Sequence, residues 1–281
     1  QAAGAGNMAK DFVDTIKSEV PDSITGKGTA ASFGQAVQDT MSANKQTAKE
    51  LYDTFAQKAA ASSEQIPLKN MQELAKQALY SEAQFPGQIS SAVKSNLKAV
   101  LARDTVSPSD LTKLNHSINA VIADLPADAS SSRAIMRQMK DALYKDLEPF
   151  AQGTGGDVAD AFTKATDFYK SNVGALKDNK ILGPYLNGKI DSDRLLDSAI
   201  KKNTPEMTAS VMKSLNPEGQ GQLRAAVVSR AFNDAVKDGV VDPVKFVNNL
   251  SKLGGSLNEF LTRPQMAQFT GMRKFFDTIH S

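Results

Sequence analysis

An all-α fold, a bundle of long helices followed by a cluster of shorter ones, is what this chain predicts, and three observations predict it. Apolar residues recur at spacings of three and four along most of its length, as helices with one buried face require. Ala, Ser, Lys, Leu and Asp dominate, while Trp is absent and aromatics make up 6% of residues, a composition that favours helices over sheets. Proline and glycine fall between the periodic stretches, several times directly after a capping residue, where they begin and end helices.

The elements follow in order. Residues 1–7 are small and Gly-rich and are expected to be mobile. Met8, Phe12, Val13, Ile16 and Val20 mark a short amphipathic helix that Pro21 ends, and Ile24 to Gly28 reads as a loop. Thr29 to Ala61 is the longest helical pattern, with Phe33, Val37, Met41, Ala48, Leu51, Tyr52, Phe55 and Ala59 on its stripe. At 1.5 Å per residue it would reach about 45 Å. The stripe is interrupted from Asn44 to Thr47, which predicts a kink or an exposed middle. Leu68–Tyr80 and Gln88–Arg103 are shorter helices, separated by Phe85-Pro86-Gly87. Ser107-Pro108-Ser109-Asp110 is a helix start, with a cap, a proline at the first position and an acid at the positive end of the dipole. Leu111, Leu114, Ile118, Val121 and Leu125 then form a seam resembling two heptads of coiled coil, a surface suited to self-association.

Ser131–Asn172 reads as a helical hairpin at the centre of the bundle. Its first helix, about Ser132–Leu147, carries Ile135, Met139, Ala142 and Leu143. Glu148-Pro149 and Gln152-Gly153-Thr154-Gly155-Gly156 are expected to stop it and turn the chain. The second, about Gly156–Val173, carries Val158, Ala161, Ala165 and Val173, with Phe162, Phe168 and Tyr169 as core anchors. Gly174 to Gly188 is read as irregular, and a boundary is placed there. Beyond it, Thr204-Pro205, Asn216-Pro217 and Asp242-Pro243 each set a capping residue before a first-turn proline. The helices predicted are Asp191–Lys202, Pro205–Leu215, Pro217–Lys237, Pro243–Leu253, Ser256–Leu261 and Pro264–Ile279. The expected domains are therefore an N-terminal segment, 1–28, a long-helix bundle, 29–177, and a smaller helical subdomain, 178–281. The aromatic end, Phe275-Phe276, either packs on the bundle or meets a partner.

Chemistry is hard to find. With no cysteine there is no thiolate nucleophile, disulfide or Cys-ligated zinc. His116 and His280 stand alone, without a second ligand at helical spacing, and neither a G-x-S-x-G elbow nor an H-E-x-x-H pair occurs. Gly26-Lys27-Gly28-Thr29 resembles a scrap of a phosphate loop. However, Pro21 stands where the first glycine belongs and Gly28 follows the lysine, so a turn that caps the next helix is the better reading. Gly153-Thr154-Gly155-Gly156 is likewise read as a turn. No catalytic, metal or cofactor residue is assigned, and no enzyme activity is expected.

Thirty-three basic against thirty-one acidic residues, a net charge of +2, give no general pull toward nucleic acid or anionic lipid. Lys201-Lys202, Lys213, Arg224 and Arg230 are a loose basic concentration, diluted by Asp191, Asp193, Asp197, Glu206 and Asp234. A weak, non-specific DNA contact stays open as an alternative. Lys94 and Lys98 on the Gln88–Arg103 helix read as a solvated face, and no apolar run approaches the ~20 residues of a membrane span. The chain starts Gln1-Ala2-Ala3-Gly4 and is read as a piece of a longer chain or a processed product.

The hairpin also carries a resemblance. Lys140-Asp141-Ala142-Leu143-Tyr144-Lys145-Asp146-Leu147, within Ile135–Leu147, followed by Ala165-Thr166-Asp167-Phe168-Tyr169 within Ala161–Lys170, resembles large bacteriophage virion proteins. In these a Lys-x-Ala-Leu-x-x-Asp-Leu helix precedes one with Ala-x-x-x-Tyr. Ala48-Lys49-Glu50-Leu51-Tyr52 and Asp242–Leu250 are similar in the same order, so the likeness runs in outline over residues 30–260. It implies a non-enzymatic structural segment, made in the host cytoplasm, packaged in the capsid interior and ejected with the genome. Its implied partners are other virion proteins or the rest of its own chain. An accessory domain of a larger phage enzyme is a further alternative.

Overall fold

The computed structural model describes residues 2–21, 27–201 and 204–280, and it is all-α apart from two minimal two-stranded ribbons. The chain forms two compact units. One joins residues 1–46 to 169–281; the other is the continuous stretch 47–168. This differs from the contiguous division expected at residues 28 and 177. The reason is long-range: the first helix, α1 (Ala2–Ser18), is built into the C-terminal helices, a contact that no local pattern announces.

In the 47–168 unit, the second half of α2 (Ala30–Ala60) is followed by α3 (Lys69–Gln84), α4 (Ser91–Leu101), α5 (Leu111–Asp124), α6 (Ser130–Gln152) and α7 (Gly156–Phe168). Helix α6 is the hub, packing against α3, α5 and α7. Its Met136, Met139, Leu143 and Leu147 meet Phe55, Met71, Leu97, Leu111, Ile118 and Phe162 in one continuous core. The Leu111–Leu125 seam is used here: Leu111, Leu114, Ile118 and Leu125 are buried within the unit. The expected interruption of α2 is an exposed middle, since Lys45, Gln46 and Thr47 are exposed while the helix runs on.

Three expectations are corrected in this unit. Helix α6 does not stop at Glu148-Pro149 but continues to Gln152. Pro149 lies near the end, where a missing N–H costs little. The buried Phe150 holds the last turn: Gly155 lies so close over its ring that a Cβ would sit 2.3 Å away. The α-helical hydrogen bonding of α7 ends at Phe168, and a π-helical stretch, Tyr169–Gly174, follows. The wider turn changes the phase of the stripe. Val173 is buried, but Tyr169 is 41% exposed and Phe168 half-buried, so of the three expected anchors only Phe162 is fully in the core. Finally, Ile66–Pro67 (β1) pairs antiparallel with Thr105–Val106 (β2), a two-residue ribbon too short to show a period in sequence.

The other unit holds α1, the first half of α2, and α8 (Ala175–Asp178), α9 (Leu182–Leu186), α10 (Ser192–Lys201), α11 (Pro205–Ser214), α12 (Pro217–Asn233), α13 (Pro243–Ser251), α14 (Ser256–Phe260) and α15 (Arg263–His280). Two short helices thus occupy the stretch expected to be irregular. Helix α12 is central and buried on nearly all sides from Gly219 to Val228, with α1, α13 and α14 against it. Phe246 of α13 makes edge contacts with Phe12 of α1, at 6.3 Å, and Phe232 of α12, at 5.8 Å. Residues 1–7, expected to be mobile, are helical from Ala2, with Ala5 buried.

The three Pro-marked helix starts are built as the sequence indicated. Thr204 Oγ1 accepts from Met207 N, Asn216 Oδ1 from Gly219 N and Asp242 Oδ1 from Lys245 N. Helix α12, however, ends at Asn233 and not at Lys237. Val236–Lys237 (β3) and Val240–Val241 (β4) form a hairpin across Asp238 and Gly239, whose φ angles are 50° and 76°. Asp-Gly with both residues at positive φ is the tight turn that matches strand twist.

Candidate functional site

Buried titratable groups are the first place to seek chemistry, and two carboxylates are buried: Asp146 and Glu82. Both hold backbone. Helix α3 begins after Leu68, which has no side chain able to cap it. Asp146, from the middle of α6, does so from outside: its Oδ1 accepts from Asn70 N and Nδ2 at 2.7 and 2.8 Å, and its Oδ2 from Met71 N at 3.1 Å. At the other end of α3, Glu82 accepts from the backbone N–H groups of Gly87, Gln88 and Ile89 at 2.8–3.1 Å, and Lys94 of α4 stands 3.4 Å away. Ser132 of α6 accepts from Ser90 N at the start of α4. Helix α6 therefore supplies polar anchors as well as apolar ones. Lys94, part of the basic face noted in the sequence, is engaged in this cluster.

The Gly87 N–H lowers the pKa of Glu82; burial opposes this, and Lys94, Ile89 and Gln88 add to the lowering. A depressed folded-state pKa contributes stability that is present above the unfolded value and is lost as pH falls through the folded one. Glu82→Gln is therefore expected to be less stable than the parent at neutral pH and to show less loss on acidification below about pH 4.5. Urea midpoints measured between neutral pH and about pH 3 check this; parallel curves for the two proteins would refute it.

The remaining sequence candidates do not assemble into a site. His116 is exposed, and the side chain of His280 lies outside the described residues. Among the described residues no three His, Cys, Asp or Glu are placed to hold a metal. Of the Gly26–Thr29 motif, Gly26 lies outside the described residues. Gly28 has φ +77°, and Thr29 Oγ1 caps α2 through Ser32 N, as a turn and cap should. The 153–156 glycines form the tight connection between α6 and α7.

The basic residues separate. Lys202 lies outside the described residues. Lys201 and Arg230, with Lys252, line a cleft of about 370 Å³ between α10, α12 and α13. Arg230 is paired with Asp197, and Asp234 lines the same cleft. Its cations stand in the last turns of α10 and α12 and at the end of α13, where they offset the negative ends of helix dipoles. Arg224 donates to Phe260 O, and burial lowers its pKa, with Glu19 opposing that shift. The expected concentration is thus a set of locally balanced charges and not a continuous basic stripe.

An apolar groove missed by sequence reasoning lies between α1 and α15. It measures about 390 Å³ and is lined by Met8, Asp11, Phe12, Thr15, Gln268, Gly271 and Met272. Phe269, Met272 and Phe276 pack inward, whereas Phe275 is 45% exposed, so the aromatic end both fills the core and presents a ring to solvent. The only signal in the sequence was the apolar excess of the last helix. The partner face on α1 lies more than 250 residues away.

Comparison of the chain with protein-family models, with curated proteins and with solved structures returns no match. Among the described residues no helix is long and apolar enough to cross a membrane.

Proposed function

We propose that this chain is a non-catalytic structural and interaction segment of a bacteriophage internal virion protein, carried in the capsid and passed out with the genome. The observation that carries the non-catalytic part is the use of the buried carboxylates. Asp146 and Glu82 both accept backbone N–H groups at the ends of α3, so the buried acid groups of the 47–168 unit hold helices together. The virion part rests on the resemblance of Ile135–Leu147 and Ala161–Lys170. The chain's make-up is compatible with passage through a narrow portal: it has no disulfide to break, and its helices are mostly short.

Quantitative proteomics of particles purified from the organism that carries this gene is the direct test. The protein is expected at fixed copy number in DNA-filled particles. Its confinement to the soluble fraction of infected cells would overturn the reading. A melting midpoint in the ordinary range of about 45–65 °C is expected, and one above ~80 °C would count against unfolding during passage.

A further inference from the structure

The α1/α15 groove has a chemistry that the virion reading does not use. Its floor is Phe12 and Met272, both buried. Met8, 40% exposed, stands on one side, and Phe275, four residues after Gly271 on the same face of α15, stands on the other. Methionine is the most adaptable apolar lining for an incoming side chain. Gly271 is a poor helix former placed inside α15. Nothing within the chain requires it, because a Cβ there would meet no atom within 4 Å. Its effect is to leave bare backbone on the groove wall, where another helix can approach closely.

The edges of the groove are charged with opposite signs. Asp11 lines it, and Asp14, three residues on, continues the outer edge of α1. Lys274, three residues after Gly271, lies along the outer edge of α15. All three are exposed and none is in an ion pair among the described residues. The face therefore runs from an acidic edge through an apolar trough to a basic edge. A second copy related by a two-fold axis brings its basic edge to the acidic edge of the first, and the reverse. The two helices have 17 and 18 residues, so each is about 26 Å long and the pairs match end to end. A foreign amphipathic helix would satisfy the trough but has no reason to match both edges.

We propose that this groove is a self-association surface: α1 and α15 of one copy pack against α15 and α1 of another. Phe275 of each copy enters the other's groove, with Gly271 giving it room, and Lys274 faces Asp11 and Asp14 across the interface. The product is a four-helix contact with the coiled-coil-like packing usual for such bundles. This inference does not depend on the virion reading.

Sedimentation velocity of the whole chain between about 1 and 100 µM tests it. A monomer–dimer equilibrium is expected, and Phe275→Asp and Met8→Asp should each leave only monomer. Both side chains are exposed, so far-UV circular dichroism should be unchanged. Asp11→Lys and Lys274→Asp should each weaken the dimer about tenfold by setting like charges together, while the double reversal restores it to within about threefold. A wild-type chain that is monomeric throughout, a dimer indifferent to Phe275→Asp, or a double reversal weaker than either single change overturns the proposal.

Discussion

Phe162→Ala is expected to destabilise the 47–168 unit by about 3–5 kcal/mol, the largest effect of any single core truncation there. The ring is fully buried in the middle of α7. It lies 5.4 Å from the ring of Phe55 on α2 and 6.2 Å from that of Tyr144 on α6, so one side chain ties three helices together. Such aromatic pairs contribute about 0.5–1.5 kcal/mol beyond the area they bury. Collapse into the space is restricted from the Tyr144 side, because its hydroxyl is hydrogen-bonded to Thr166 Oγ1 at 2.8 Å. Phe162→Leu keeps most of the volume and should cost about 1.5 kcal/mol or less. Hydrogen exchange of the α6 and α7 amides is the suitable readout, since a chain of two units need not unfold in one step. Protection in Phe162→Ala should fall by a factor of a hundred or more, as about 3 kcal/mol implies. A loss below about tenfold would show that the core closes over the gap.

Phe162 was legible because its stripe is local: Val158, Ala161, Phe162 and Ala165 stand at helical spacing, and all are buried. The same holds for the caps of α11, α12 and α13, where Thr204, Asn216 and Asp242 lie immediately before the helices they serve. What escaped were features whose partners are far apart or whose hydrogen-bond pattern changes without a change of residue type. The π-helical stretch moves Tyr169 out of the core although the apolar spacing continues. The Asp238-Gly239 turn was readable, but the apolar residues before it fit a helix equally well and the longer pattern was followed. Helix α1 is bound to α15 through Glu19, whose carboxylate accepts from Gln265 Nε2 at 2.9 and 3.1 Å across 246 positions. No pattern in either segment names the other. The α1/α15 groove is a product of that same pairing, and for that reason only its Phe275 edge was visible in advance.

Asp146→Ala is the second large effect expected, about 3 kcal/mol, and its mechanism differs. Helix α3 starts with two N–H groups, those of Asn70 and Met71, that would otherwise lack an acceptor in a buried setting. A local cap lost to alanine typically costs about 1 kcal/mol, because water replaces it. Here Asp146 is 4% exposed and Met71 fully buried, so water has little access and each stranded donor costs about 1–3 kcal/mol. Asp146→Asn separates charge from shape. It keeps one acceptor oxygen but turns an NH₂ toward donors, so it should recover less than half of the loss. A new local cap offers a further discriminator. Leu68→Asp is not suitable, since Leu68 is itself fully buried, but Lys69→Ser is exposed and should leave the Asp146→Ala deficit intact. Exchange of the Asn70 and Met71 amides should accelerate first, ahead of the rest of α3. If those two amides stay as protected in Asp146→Ala as in the parent, α6 is not the cap of α3, and the hub role given to it rests on apolar packing alone.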